Sequence, residues 1–596
     1  MTPGTPPTPA ELRRLLRERF DLHTFLPGQE RMIRSLLQGR DVLGLLPTGG
    51  GKSLVYQLTA ELLPGVTVVV SPLLALIKDQ VESLAEHGVA AGVIDSTQSP
   101  SRAAEELQKV QQGRAKLLYV TPERFEDAEF FARLRRLSVA LLVVDEAHCI
   151  SEWGHSFRPA YLLLGKVAAE LRPVVLLALT ATASPWVRRD ITDRLGMRDP
   201  DIVVHGLERP NLFLEVWRIE EEDDERRALE RLLAAPDAPG TAEPSAQGAI
   251  EDGTTEDGAA EDAARQEALR GSGIIYTATT RGAAETAKWL RTWGIPADYY
   301  HGRRRKSERG QVQEAFMGGE LRVIAATNAF GLGVDKPDVR FVIHRDVPAS
   351  VEAYYQEAGR AGRDGAFARC LLLYRPADLG RAAFLAGTGH VTREDVRRVH
   401  AGLRSVPPGA EITRRDLVAA SGVGSGDLVR LLDRLSRDGI VAERRGRIRL
   451  RVPDFDPEQV SLEGEERRLA YERSRVEMMR AYAELHGCRH EYILNYFGQE
   501  YDATACTMCD NCLGHGPHHR AGHQAETAPP AALAGAAAPA PAPFSFGDRV
   551  RHEHWGEGVV QRLSGDVITV LFDDAGYKTL SLPGVVEHDL LRRLPS

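Results

Sequence analysis

Cysteine is scarce in this 596-residue chain: there are six, and four of them gather between positions 488 and 512. That scarcity excludes a disulfide-stapled secreted fold, and the late cluster of thiols points to a metal. Long apolar runs are missing as well. No uninterrupted stretch approaches the ~20 residues of a membrane span, and the start, MTPGTPPTPAELRR, lacks the apolar core of a secretion signal, so a cytoplasmic protein without a membrane partner is expected. Aromatic residues amount to 6%, which makes any segment that concentrates them conspicuous. Positive charge is in deficit too, with a formal net charge of -9, and this at first argues against a phosphate-rich partner. Its distribution removes the objection. Residues 236–268 hold nine acids against one arginine, which leaves the remainder close to neutral.

What is present, 43% hydrophobic and 27% charged, is the composition of a globular protein, long enough for about four domains. The stretch Leu141 to Tyr161, LLVVDEAHCISEWGHSFRPAY, organises the rest. Its four apolar residues predict a buried parallel strand with Asp145 and Glu146 at the carboxyl end, where open α/β sheets bind ligands. One carboxylate there can hold Mg²⁺ while its neighbour orients an attacking water. Trp153, His155, Phe157, Arg158 and Tyr161 follow at once, offering stacking faces to unpaired bases. Upstream, a short apolar strand from Asp41 leads into Pro47-Thr48-Gly49-Gly50-Gly51-Lys52-Ser53. Glycines free the backbone to curl around phosphate, Lys52 supplies a cation to it, Ser53 a hydroxyl to Mg²⁺, and the following helix its dipole.

These residues carry a resemblance. PTGGGKS, DEAH and the aromatic-rich CISEWGHSFRPAY resemble the motifs of the RecQ family of superfamily 2 DNA helicases. The resemblance implies that Gln29 contacts the adenine edge, that Ser71 and Thr121 at two strand ends contact the DNA backbone, and that Thr180 to Ala183 couple hydrolysis to DNA. Leu22 and Leu26 stand where the family has an aromatic residue and an arginine, so adenine selection is expected to be relaxed. Val323 to Arg340, with Thr327, Gly333 and Asp335, and Gln356 to Gly365, with Arg360 and Arg363, resemble motifs V and VI. By motif position Arg363 is the arginine that neutralises transition-state charge, with Arg360 beside it and Gln356 in the same catalytic set; Gly333 and Asp335 face the nucleotide and Thr327 the DNA.

Alternating strands and helices predict two RecA-like, doubly wound parallel-sheet domains at 10–208 and 209–380, the second interrupted by a disordered acidic insertion at 235–268. Residues 1–9 are expected to be disordered. From 392 to 453 two short helices and a segment with Arg444, Arg445, Arg447, Arg449 and Arg451 predict a winged helix that binds duplex DNA, against a purely structural helical module. Cys488, Cys506, Cys509 and Cys512 within 460–513 supply four ligands for a structural Zn²⁺, and CR...YFG...C..CDNC is similar to the RecQ zinc module; Cys149 and Cys370 are expected to be packing residues. Because the winged segment precedes the cysteines, the layout departs from the best-known family order. A linker at 514–543 leads to 544–596, whose short strands and glycine turns predict a small SH3-like barrel. That unit resembles the Tudor-like tail of UvrD-type helicases and implies a protein partner, RNA polymerase or a repair protein.

The resulting expectation is an ATP-, Mg²⁺- and Zn²⁺-dependent helicase, nucleoid-associated, acting on single-stranded and branched DNA. It would move 3′-to-5′ and serve repair or recombination. A duplex translocase, an RNA helicase and a non-catalytic scaffold are the other classes that share some of these parts.

Overall fold

The structure, a computed structural model, describes residues 7–595 except 48, 73, 152–157, 172, 235–262, 332–335, 388–390, 408, 445–446, 500, 502–505, 515–543 and 565–566. The chain divides into two units, Met1–Leu207 with Ala386–Arg473, and Glu208–Leu385 with Ser474–Ser596.

Seven strands build the first unit's large sheet: β1 (Val42–Leu45), β2 (Val66–Val70), β3 (Ala91–Ile94), β4 (Leu117–Val120), β5 (Val139–Val144), β6 (Val175–Thr180) and β7 (Asp201–Val204). Sequences such as VTVVV and VALLVV are buried along their whole length, as strands covered on both faces require. All pairings are parallel, in the order β3-β4-β2-β5-β6-β1-β7. This order sets the site. Read along the carboxyl edge it brings Thr121, Ser71, Asp145, Thr180 and the glycine loop after β1 into one row. The first helix, Pro9–Phe20, begins within the segment expected to be disordered, because Thr8 and Glu11 form a reciprocal cap.

The second unit's large sheet is also wholly parallel. Its strands β8 (Leu212–Arg218), β9 (Ser272–Tyr276), β10 (Ala297–Tyr300), β11 (Val323–Ala326), β12 (Val339–His344) and β13 (Ala368–Tyr374) run in the order β10-β11-β9-β12-β13-β8. Two parallel RecA-like sheets are therefore present. Most of the acidic insertion, 235–262, lies outside the described residues. Residues 263–268, assigned by composition to the same segment, are helical, since Ala268 and Leu269 are buried and the Arg265 guanidinium lies 4.8 Å from the Phe213 ring centre.

Within the first unit, helices Arg393–Arg404, Arg414–Ser421 and Ser425–Arg437 accompany an antiparallel sheet of β14 (Glu411–Thr413), β15 (Val441–Arg444) and β16 (Arg447–Leu450). Helix Glu463–Ala483 passes from one unit to the other. In the first half of this helix Glu465 accepts from Val391 N at 3.1 Å, and the Tyr471 and Ser184 hydroxyls pair at 3.1 Å.

The cysteine loop joins the second unit through the free edge of β8. Leu214 N donates to Met508 O at 3.0 Å, Asp510 N to Leu214 O at 3.1 Å, and the Asp510 carboxylate accepts from Val216 N at 2.9 Å. Beyond the undescribed 515–543, strands β17 (Arg549–His552), β18 (Gly556–Ser564), β19 (Val567–Phe572), β20 (Gly576–Ser581) and β21 (Leu591–Arg593) form an antiparallel sheet in the order β20-β19-β18-β17-β21. It rests on helix Arg489–Tyr496: Tyr577 stacks on Tyr496 at 4.9 Å between ring centres, and Arg562 lies 4.9 Å from the Tyr492 ring centre.

Candidate nucleotide and metal sites

The glycine loop is shaped by backbone that few side chains tolerate. Gly49 and Gly51 have φ of 83° and 65°, and Gly51 caps helix Lys52–Leu62, so the loop delivers its N–H groups and the helix dipole to one point. Thr48 lies outside the described residues. Gln29 is buried and supports this loop: its Nε2 donates to Gly51 O at 2.9 Å and Gly50 O at 3.3 Å, while its Oε1 accepts from Leu26 N at 2.9 Å. Leu22 and Leu26 are 44% and 48% exposed.

The carboxylate pair is held by several strand ends at once. Lys52 Nζ is 3.9 Å from Glu146 Oε1, and Ser71 Oγ donates to Asp145 Oδ2 at 3.3 Å. Ser71 thus serves the acid and is itself buried, as is Thr121. Burial, reinforced by the adjacent Glu146 charge and opposed by Lys52, raises the Asp145 carboxyl to about 6. Glu146 sits at φ 48°, ψ 46°, a left-handed conformation that costs a non-glycine residue about 1–2 kcal/mol and is retained where surroundings impose it. Its Oε2 is buried, with no hydrogen-bond donor among the described residues. The neighbour at 3.3 Å is His148 Nδ1, on a ring that burial pushes down to about 3 and so keeps neutral. A buried acid pair with one oxygen lacking a donor fits a divalent cation, which Asp145 and Ser53 would hold.

The pairing of His148 with Thr180 was not foreseen from the sequence. The His148 ring is 2.9 Å from Thr180 Oγ1, which donates to Thr182 O at 3.2 Å. A polar chain thus runs from Glu146 to the end of β6, and only the strand order, with β6 between β5 and β1, could have revealed it. Tyr161 corrects a reading. Expected as a stacking face, it is fully buried and donates to Asp145 O at 2.9 Å. Arg158 Nη1 donates to Pro72 O at 3.0 Å, and Trp153, His155 and Phe157 lie outside the described residues.

In the second unit, Gln356 lies on helix Val351–Ala358, followed by the loop bearing Arg360 and Arg363. Arg360 is buried and donates to Gly331 O, which joins motif VI to the segment after Thr327. The Thr327 side is itself buried, its carbonyl accepting from Phe330 N at 2.9 Å; Gly333 and Asp335 lie outside the described residues. Two residues that sequence reasoning overlooked hold this loop from the start of β8. Arg209 donates to Gly359 O, Ala361 O and Gly362 O at 3.1, 2.8 and 2.9 Å, and Asn211 Nδ2 to Gly362 O and Ala366 O at 2.7 and 2.9 Å.

Cys488, Cys506, Cys509 and Cys512 come together, their Sγ atoms all within 4.8 Å of one another. Four convergent thiols suit tetrahedral Zn²⁺. Arg489, fully buried, pairs with both Asp510 oxygens at 2.5 and 3.0 Å and donates to Tyr482 O at 2.9 Å, fastening the loop that carries three of the cysteines. Cys149 and Cys370 are buried packing residues.

With this geometry in place, comparison with known proteins places the chain. Residues 26–190 match the family model described as DEAD/DEAH box helicase, 260–365 the helicase conserved C-terminal domain, and 448–513 RecQ zinc-binding. The chain is 39% identical over 374 residues to the ATP-dependent DNA helicase RecQ of Bacillus subtilis, covering 62% of this chain and 57% of that protein. It is 32% identical over 510 residues to the "Probable ATP-dependent DNA helicase RecS" of the same organism, covering 84% and 92%. RecQ of Pasteurella multocida is 36% identical over 364 residues, 61% of this chain and 52% of that protein. The match therefore spans little more than half of the two RecQ relatives and nearly all of RecS. The chain belongs to the RecQ family of ATP-dependent DNA helicases.

Proposed function

We propose that this protein hydrolyses ATP to move 3′-to-5′ along single-stranded DNA and to separate duplex strands in repair or recombination. The observation that carries the reading is the buried Asp145–Glu146 pair beside Lys52 at a glycine-lined helix N-terminus. Lys52 and the loop N–H groups hold phosphate; Asp145 and Ser53 hold Mg²⁺, which supplies charge neutralisation when bound; Glu146 orients and deprotonates water; Arg363, with Arg360 and Gln356, stabilises charge on the transferred phosphoryl group. Ser71, Thr121, Thr327, Arg158 and the aromatic segment Trp153 to Phe157 grip the strand. Gly333 and Asp335 complete the nucleotide contacts.

Zn²⁺ on Cys488, Cys506, Cys509 and Cys512 is structural in this reading. The three helices and antiparallel sheet of 392–453 act as a winged helix, with exposed Arg447, Arg449 and Arg451 toward duplex phosphates. The C-terminal sheet is of SH3 type and receives a protein partner. Strand displacement on duplexes with either a 3′ or a 5′ single-stranded tail tests the reading, with Lys52→Ala as control. ATP-dependent unwinding of the 3′-tailed duplex alone, lost in the variant, is expected. Hydrolysis without displacement on either substrate would refute it in favour of a translocase.

A further inference from the structure

The loop between helix Val351–Ala358 and β13 has to point two arginines in fixed directions, yet it is rich in glycine. Gly359, Gly362 and Gly365 fall within seven residues, and Gly362 and Gly365 have φ of 56° and 83°. Such a segment has little stiffness of its own. Its rigidity comes from outside. The Arg209 guanidinium spreads over three of its carbonyls and Asn211 over two, Gly362 O being shared, so that four carbonyls of the loop, at 359, 361, 362 and 366, are pinned by two side chains. Arg209 Nε also donates to Asn211 Oδ1 at 3.4 Å, which ties the two side chains together, and Leu212 N donates to Arg209 O at 3.1 Å, which ties the Arg209 backbone to the first residue of β8. On the other side Arg340 reaches Asp364 at 2.5 Å.

We infer that Arg209 and Asn211 are positioning residues for phosphoryl transfer. Their side chains act through the loop: they set the carbonyls on either side of Arg360 and Arg363 and thereby the direction in which those guanidiniums project. The inference rests on the reading of Arg363 as the residue that stabilises the transition state. A guanidinium bonded to carbonyls is suited to this task because it is planar, permanently charged and able to reach several acceptors at once. A lysine could satisfy fewer of them, and an alanine none. Gly362 reinforces the geometry: a Cβ there would stand 2.7 Å from Ala366 O, so the loop cannot tighten around a larger residue and must be held by donors from outside.

The test measures DNA-stimulated ATP hydrolysis by the full-length protein as Arg209→Ala, Arg209→Lys, Asn211→Ala, Arg363→Ala and the Arg209→Ala/Arg363→Ala pair, with melting temperature and zinc content recorded for each. A displaced catalytic group loses about 10²-fold in rate. Arg209→Ala is expected to lower kcat by about that factor with KM for ATP within about threefold, Arg209→Lys to recover part of it, and the double variant to be no slower than Arg363→Ala. Full kcat in both Arg209→Ala and Asn211→Ala beside an inactive Arg363→Ala overturns the inference and spares the reading of Arg363. So does a double variant whose loss is the product of the single losses, because the two residues would then act independently. Full activity in Arg363→Ala overturns the reading itself. If Arg209→Ala loses zinc or melts early, Arg209→Lys and Asn211→Ala decide: kcat falling in step with melting temperature overturns the inference, and kcat falling at unchanged melting temperature supports it.

Discussion

The two RecA-like sheets are built alike but hold their functional residues by different means. In the first, the site is a row of strand ends, and neighbouring strands supply one another's partners: Ser71 of β2 to Asp145 of β5, and Thr180 of β6 to His148. Side chain meets side chain across a rigid sheet edge. In the second, the arginines stand on a glycine-rich loop, and what holds that loop is a set of bonds from Arg209 and Asn211 to its backbone carbonyls. A sheet edge positions chemistry through register, whereas a loop must be clamped. The difference predicts where each unit will fail.

The largest effect is expected from removing the charge that the clamped loop presents. Arg363→Ala should reduce DNA-stimulated kcat by about 10³-fold or more, with nucleotide affinity far less affected, as single-turnover kinetics and a fluorescent nucleotide would separate. Retained turnover would mean that only the first unit's row matters to chemistry. Next comes Arg489. Replacing it by Met leaves Asp510 as an uncompensated buried charge, and breaking such a pair costs about 3–5 kcal/mol. Thermal melting and the rate of zinc release to a chelating dye should both change, while a melting curve unaltered by the substitution would show that the cysteine loop does not depend on this pair.

The strand-end row makes a smaller and pH-dependent prediction. The Asp145 carboxyl is raised by burial to about 6, so it is charged above that pH and protonated below it, where Mg²⁺ would lose a ligand. The kcat/KM for ATP should therefore rise with pH through about 6, falling roughly tenfold from pH 7 to pH 5. Because the cation competes with the proton, more Mg²⁺ should move this acid limb to lower pH. An acid limb indifferent to Mg²⁺ concentration would assign it to another group.

How much of this was legible in the sequence follows from the same contrast. The glycine loop, the acid pair and the four cysteines were readable because each packs its chemistry into a few consecutive residues whose types allow little else. The parallel sheets were readable from buried runs such as VTVVV. Partnerships across the fold were not: nothing in the neighbourhood of His148 names Thr180, 32 positions away, and nothing near Gly359 names Arg209, 150 positions earlier. Tyr161 misled for a related reason. An aromatic residue after an acidic strand end offers a ring to bases and a hydroxyl to the backbone with equal plausibility, and burial behind Asp145 decided for the hydroxyl.

The smallest effect concerns the C-terminal sheet, expected to hang on a linker and instead resting on the helix that begins at Cys488. Tyr577 and Tyr496 stack with planes 21° apart, and Arg562 covers Tyr492. An aromatic pair contributes about 0.5–1.5 kcal/mol beyond its buried area, so Tyr577→Ala should loosen the sheet from the helix without unfolding either. The helix is capped by a cysteine of the cluster, which links its position to that thiol's. Hydrogen exchange should then quicken along Arg489–Tyr496 in Tyr577→Ala, with zinc retained at equilibrium but released faster to a competing chelator. Unchanged exchange in that helix would show the sheet to be a neighbour that contributes nothing to the metal module, and the second unit's metal loop would owe its order to β8, Arg489 and the metal alone.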